Sequence, residues 1–181
     1  DEGSQLVALA CGVAPGQDVI DLCAGAGGKT LALAAEMGNR GRIIASDSDR
    51  GRLSRLAPRL ARAGVINVEQ RLLNPRAELD ALADWRGVAD AVLVDAPCSG
   101  SGTWRRNPET RWRLDPQRLS RLVELQAYLL DVAAELVRPG GTITYAVCSL
   151  LAEEGREQAL GFQGRRSSFV SEAAAIPGGR S

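Results

Sequence analysis

The sequence predicts an α/β fold built on a mostly parallel, doubly wound sheet. Three observations predict it. Short β-branched runs alternate with helical segments along the 181 residues, as in successive βαβ units. A glycine-rich stretch separates the first strand from the first long helix. An aspartate, Asp47, closes the second strand. In such sheets ligands meet the carboxyl ends of the strands.

Residues 4–11 read as a short helix, and Gly16-Gln17-Asp18 as a turn. Val19 to Leu22 form a buried strand that ends at Cys23-Ala24-Gly25-Ala26-Gly27-Gly28. Lys29 to Met37 are helical, closed by Gly38 and Asn39. Arg42 to Ser46 form the second strand. Residues 49–63 read as one helix with a kink at Pro58. Val65 to Gln70 form the third strand, and 76–84 a weak helix. Ala89 to Val94 form the fourth and clearest strand. A loop rich in glycine and arginine runs from Ala96 to Leu114. Asp115-Pro116 opens a strong helix to about Arg138, with Asp at the cap and Pro in the first turn. Pro139-Gly140-Gly141 turn into a fifth strand, 142–147, and a helix follows from about Ala152. Residues 164–181 are polar and small and read as an irregular tail, leaving residues 1–163 as one folded domain.

A hydrophobic content of 45% over this length suffices for a buried core. No apolar run approaches a membrane span and no signal peptide is visible. Cys11, Cys23, Cys98 and Cys148 have no zinc-ligand spacing. A reduced, cytoplasmic, metal-free monomer is expected. There is no histidine, which removes Ser-His-Asp and Cys-His mechanisms and histidine metal sites. Any base is a carboxylate, a thiolate or water.

Net charge is zero, so partner preference rests on local clusters. Five arginines and no acid lie between Arg50 and Arg62, where solvated helix faces and phosphate contact are equal readings. Six arginines lie between Ser101 and Arg121, with Trp104 and Trp112 among them. Aromatics interleaved with basic residues suit single-stranded nucleic acid.

The stretch Asp21-Leu22-Cys23-Ala24-Gly25-Ala26-Gly27-Gly28-Lys29-Thr30 is neither a P-loop nor a dinucleotide fingerprint. Cys23 stands where GxxxxGK[ST] needs glycine, and Thr30 where GxGxxG needs its last one. What remains is a backbone cradle for a small anion, with Lys29, the single lysine against twenty-one arginines, supplying a cation. Asp47 is placed to accept ribose hydroxyls. The carboxylate and adenosine of S-adenosylmethionine fit both features.

Two cysteines each follow a strand: Cys98 after Asp95-Ala96-Pro97, and Cys148 after Tyr145-Ala146-Val147. With the glycine stretch, DLCAGAGGKT, DAPCSGSGTWRRNPETRW and YAVCSL resemble the RNA cytosine-5 methyltransferases of the Sun/Nop type. The resemblance covers roughly residues 1–155. It implies a Rossmann-like class I methyltransferase fold and S-adenosylmethionine as methyl donor. It also implies RNA as partner, ribosomal RNA ahead of transfer RNA. Cys148 matches the nucleophile, Cys98 the cysteine that assists product release, and Asp95 the residue that holds the cytosine. Cys23, Ala24, Gly25, Ala26, Gly27, Gly28, Lys29, Asp47, Asn74 and Asp95 are the expected cofactor residues. Trp104, Arg105, Arg106 and Trp112 are the expected RNA contacts. The loop reads CAGAGGK where the family usually has CAAPGGK, and Val147 replaces the usual threonine. The two further strands and the N-terminal RNA-binding domain of the family are expected to be missing.

The chemistry explains the thiols. Carbon 5 of cytosine is a poor nucleophile until a thiolate adds at carbon 6 and breaks the aromaticity. Sulfur suits both addition and later departure. Two other classes compete. One is an inactive methyltransferase-like RNA-binding module. The other is a cysteine-dependent hydrolase, disfavoured by the absence of histidine.

Overall fold

The structure, a computed structural model, describes residues 2–172 except 106, 107, 109–111 and 113. Five strands form one sheet in the order β3-β2-β1-β4-β5. They are β1 (Asp18–Asp21), β2 (Arg42–Asp47), β3 (Val68–Leu72), β4 (Ala89–Asp95) and β5 (Val137–Ala146). β1 pairs in parallel with β2 and β4, and β2 with β3. A Cβ on Gly141 would meet the Ala89 and Asp90 carbonyls, and the Ala96 N–H donates to the Ala146 carbonyl. β4 and β5 therefore also run the same way. The helices are α1 (Glu2–Ala10), α2 (Gly28–Glu36), α3 (Arg50–Leu53), α4 (Leu56–Ala63), α5 (Glu78–Ala81), α6 (Pro116–Leu136) and α7 (Arg156–Arg165). None among the described residues is long and apolar enough to cross a membrane.

Residues 2–94 and 132–144 form one compact unit, and 95–131 with 145–172 a second. In the first, the strand register sets Val19 beside Ile43 and Ala91, and Asp21 beside Ala45 and Leu93. Alternation along a strand puts these side chains on one face. Val19, Ile43, Ala91 and Leu93 pack with Ala8, Leu33 and Met37 from α1 and α2. Ala45 packs with Leu53, Leu56 and Leu60 of α3 and α4. On the opposite face Ile20, Ile44 and Val92 are also buried. Strands covered on both sides read as continuous apolar runs, as Ala91-Val92-Leu93-Val94 does. Trp85 is buried and stacked under the Arg42 guanidinium. Cys11 is a core residue whose thiol is pushed up to about 11, chiefly by burial.

The main boundary differences from the sequence reading are four. The helix over 49–63 is two helices, broken at Ser54-Arg55. Pro58 does not kink it. A proline has no N–H for the carbonyl four residues back and crowds it, so the break falls there, at Ser54, and Pro58 sits in the first turn of α4. β3 begins at Val68 rather than Val65, whose N–H instead closes α4 on the Leu60 carbonyl. β5 extends back through Pro139-Gly140-Gly141, with Gly140 at φ 77°. α7 begins at Arg156 after a turn over 152–155. The cap on α6 is as expected: the Arg118 N–H donates to Asp115 Oδ1 at 2.7 Å.

Candidate active site

Chemistry-bearing residues gather at two places, one in each unit. In the first, the chain leaves β1 with the Leu22 N–H on the Leu93 carbonyl and the Ala24 N–H on the Ser46 carbonyl. Gly25 (φ 55°) and Gly27 (φ 82°) then take the left-handed backbone that glycine adopts without strain. Gly27 caps α2. A Cβ there would stand 2.0 Å from Leu56 Cδ1, so the loop lies directly on α4. Arg59 of α4 donates to the Ala26 carbonyl at 2.6 Å. Buried Thr30 donates to Asp21 Oδ2 at 2.7 Å, tying the start of α2 to the end of β1.

Asp47 is buried at the end of β2. Its Oδ2 accepts from the Gly25 N–H at 2.8 Å and its Oδ1 from the Asp49 N–H at 2.7 Å. Each oxygen has a second lone pair, so the carboxylate can brace the loop and still accept a ligand hydroxyl. A Cβ on Gly28 would meet nothing within 4 Å, leaving the N-terminus of α2 open to an anion. Lys29 and Cys23 are half-buried and Ala24 is buried. Asn74 is exposed beyond β3, where its carbonyl accepts from Ala77. No hydrogen bond among the described residues joins it to Asp47 or the glycine loop. An open helix terminus, flat glycine backbone and a strand-end carboxylate fit a cofactor that carries a carboxylate and an adenosine.

In the second unit, Cys98 Sγ and Cys148 Sγ lie 3.3 Å apart. Neither is in a disulfide; Cys148 is exposed and Cys98 half-buried. The Cys98 thiol is pushed far above its ordinary range, first by its hydrogen bond to Cys148, then by burial and by the charge Cys148 carries. Either sulfur can be the donor in that contact. Asp95, half-buried, ends β4 three residues before Cys98.

The two cysteine loops are joined along their backbones. The Gly102 N–H donates to the carbonyl of Cys148 at 3.1 Å, and a Cβ on Gly102 would crowd that same oxygen. The Leu150 N–H donates to Ser101 Oγ at 2.8 Å. Beneath them lies Glu154, 0% exposed. Its Oε1 accepts from the Ser99 N–H at 2.8 Å and from Gln126 Nε2 at 2.9 Å. Its Oε2 accepts from the Ser99 hydroxyl. Burial raises this carboxyl, but the Ser149 and Ser99 hydroxyls, the Ser99 N–H and Gln126 around it together hold it below the ordinary carboxylate range. Gln126 also donates to the Pro97 carbonyl, and the Tyr145 hydroxyl to the Glu154 carbonyl.

Of the expected RNA contacts, Trp112 is 84% exposed, Trp104 is half-buried and Arg105 is exposed. Arg106 lies outside the described residues. Sequence reasoning missed Arg59, Leu56, Glu154 and Gln126. None carries a local signal, because each acts on residues distant along the chain.

The sequence profile of the family 16S rRNA methyltransferase RsmB/F matches residues 8–178. A probable ribosomal RNA small subunit methyltransferase B from Synechocystis sp. is 36% identical over 95% of this chain and 38% of its own length. The crystal structure of PH0851 superposes with TM-score 0.86 at 39% identity, covering 91% of this chain and 37% of that one. NSun6 from Pyrococcus horikoshii, solved with SFG, superposes with TM-score 0.83 at 29% identity, covering 96% and 43%. The chain thus spans about two fifths of the length of these relatives.

Proposed function

We propose, on the premise that this chain belongs to the 16S rRNA methyltransferase RsmB/F family, that it carries the catalytic machinery for S-adenosylmethionine-dependent methylation of carbon 5 of cytosine in ribosomal RNA. The observation that carries the reading is the pair of cysteine sulfurs 3.3 Å apart and not joined in a disulfide. Family membership supports the methyl transfer. A relative solved with SFG, an analogue of S-adenosylmethionine, supports the donor. A cytoplasmic setting suits a mechanism built on reduced thiols.

Gly25, Gly27 and Gly28 would hold the donor's carboxylate through their backbone, with Lys29 supplying a cation and Asp47 accepting its ribose hydroxyls. Cys23, Ala24 and Asn74 complete the set. Bound there, S-adenosylmethionine supplies an electrophilic methyl group. On the RNA side the Cys148 thiolate adds to carbon 6, forming a C–S bond and shifting the ring electrons toward carbon 5. Asp95 would contact the exocyclic amine and nitrogen 3, and in its protonated form it would donate to nitrogen 3 and oppose the charge that builds there. Once Cys148 is a thioether, Cys98 loses the neighbouring charge and hydrogen bond that held its proton. It can then lose that proton to solvent and, as a thiolate, take the proton from methylated carbon 5. The C–S bond breaks as the ring double bond re-forms, and Cys148 leaves as thiolate. The base must be unpaired or flipped to be reached. Trp104 and Trp112 then stack on its neighbours, and Arg105 and Arg106 contact phosphates.

The test is a 16S rRNA transcript containing 5-fluorocytidine, incubated with the protein and S-adenosylmethionine. Fluorine cannot leave as a proton, so the reaction stops at the covalent stage. A denaturant-resistant protein–RNA complex is expected, and Cys148→Ala should lose it together with turnover, by on the order of 10⁴-fold or more. Normal methylation by Cys148→Ala would sink the mechanism.

A further inference from the structure

We propose that Glu154 is a positioning residue that sets the spacing of the Cys98 and Cys148 sulfurs, acting through the serines that follow each cysteine. The inference rests on the reading of these thiols as the working pair. Glu154 is fully buried, and no ion pair among the described residues includes it. Burying a carboxylate without a cation costs several kcal/mol unless hydrogen bonds replace water, and a well-packed apolar side chain avoids that cost. The bonds that satisfy it are therefore the clue to what it does.

Those bonds reach both cysteine loops. Ser99 gives Glu154 its N–H and its hydroxyl. A carboxylate only accepts, so the Ser99 proton points at Glu154 and its oxygen is left as acceptor. Ser149 Oγ lies 3.2 Å from Ser99 Oγ and therefore donates to it. Ser149 Oγ in turn takes the Leu151 N–H at 3.1 Å and the Ser101 hydroxyl at 3.0 Å, and Ser101 Oγ takes the Leu150 N–H at 2.8 Å. One anion thereby fixes the direction of the hydroxyl chain that links the two loops. Gln126 anchors the same carboxylate to the carbonyl just before Cys98. A glutamine at 154 has one acceptor oxygen in place of two and turns a donor toward the hydroxyls, which reverses the chain.

Diamide measures the sulfur spacing without any RNA. The Cys148 thiolate adds to the azo bond, then Cys98 displaces the adduct. Two S–H bonds are lost, one S–S bond forms, and the azo group is reduced to a hydrazine with both protons. Peptide mass mapping of this chain identifies the Cys98–Cys148 link and its rate. Glu154→Gln, with unchanged circular dichroism, should couple roughly tenfold more slowly or worse. Glu154→Asp, which keeps both acceptors on a shorter arm, should fall between. Wild-type coupling in a folded Glu154→Gln protein overturns the proposal. If that variant does not fold, Ser149→Ala decides, since it leaves the Ser99 and Gln126 bonds in place. It should be about threefold slower, and an unchanged rate overturns the proposal. Methylation assayed in parallel separates the two readings. Slowed coupling with no methylation by the parent chain sinks the assigned activity alone. Unchanged coupling with intact parent methylation sinks the role of Glu154 alone.

Discussion

The glycine loop after β1 and the paired cysteine loops solve the same problem, holding reactive geometry at strand ends, by opposite means. The glycine loop is backbone. Its shape comes from two left-handed glycines, an open helix start and a strand-end carboxylate that receives the Gly25 N–H at 2.8 Å. The cysteine loops are side chain. Ser99 and Gln126 hold one buried anion, Ser149 and Ser101 run on from Ser99, and in the role proposed for Glu154 the sulfur spacing follows from that network. A backbone cradle should fail by losing shape and stability, whereas a side-chain network should fail by losing spacing while the chain stays folded.

The largest effect expected from breaking this contrast is chemical. Cys98→Ala should leave Cys148 able to attack but remove the acceptor of the late proton. Turnover should fall by on the order of 10²–10⁴-fold, while a covalent protein–RNA adduct accumulates on ordinary RNA and is seen on a denaturing gel. A clean loss of activity with no adduct would refute the release role.

Gly27→Ala probes the other region. A left-handed alanine costs about 1–2 kcal/mol, and a Cβ 2.0 Å from Leu56 Cδ1 must displace it. Together these amount to about 3 kcal/mol, roughly a 10 °C lower melting temperature for a chain this size. Weaker binding of S-adenosylmethionine should accompany it, read by the smaller upward shift of the melt with ligand. An unchanged melt would mean the loop is not held as described.

The smallest effect is on the pH dependence of stability. Asp90 is held below the ordinary carboxylate range by the Asp18 N–H and, after the opposing effect of burial, by Arg138. Glu154 is also held low. A depressed folded value means stabilisation that is present above the unfolded carboxylate value and is lost as pH falls through the folded one. Melting temperature should therefore be level near neutrality and decline below about pH 4. Asp90→Asn should soften that decline in thermal melts across pH, and an identical decline would show that Asp90 does not contribute.

What was legible in the sequence follows the same division. The alternating strands, the CAGAGGK turn, Asp47 and both cysteines were readable because each is encoded locally, by periodicity or by a residue at a strand end. Glu154 was not, because Glu153-Glu154 before a helix looks like an ordinary acidic first turn. Its partners sit up to 55 positions away. Arg59 sits in an arginine-rich helical stretch where nothing singles out the one that reaches Ala26, 33 residues back. The break at Ser54-Arg55 was misplaced because proline acts on the carbonyl four residues earlier rather than at its own position.

The backbone ties between the cysteine loops carry one more consequence. The Ala96 N–H meets the Ala146 carbonyl, and the Gly102 N–H meets the Cys148 carbonyl. These two bonds pin both ends of Pro97-Cys98-Ser99-Gly100-Ser101 against a partner only three residues long. No residue can be inserted into or deleted from that segment without carrying one sulfur out of line with the other.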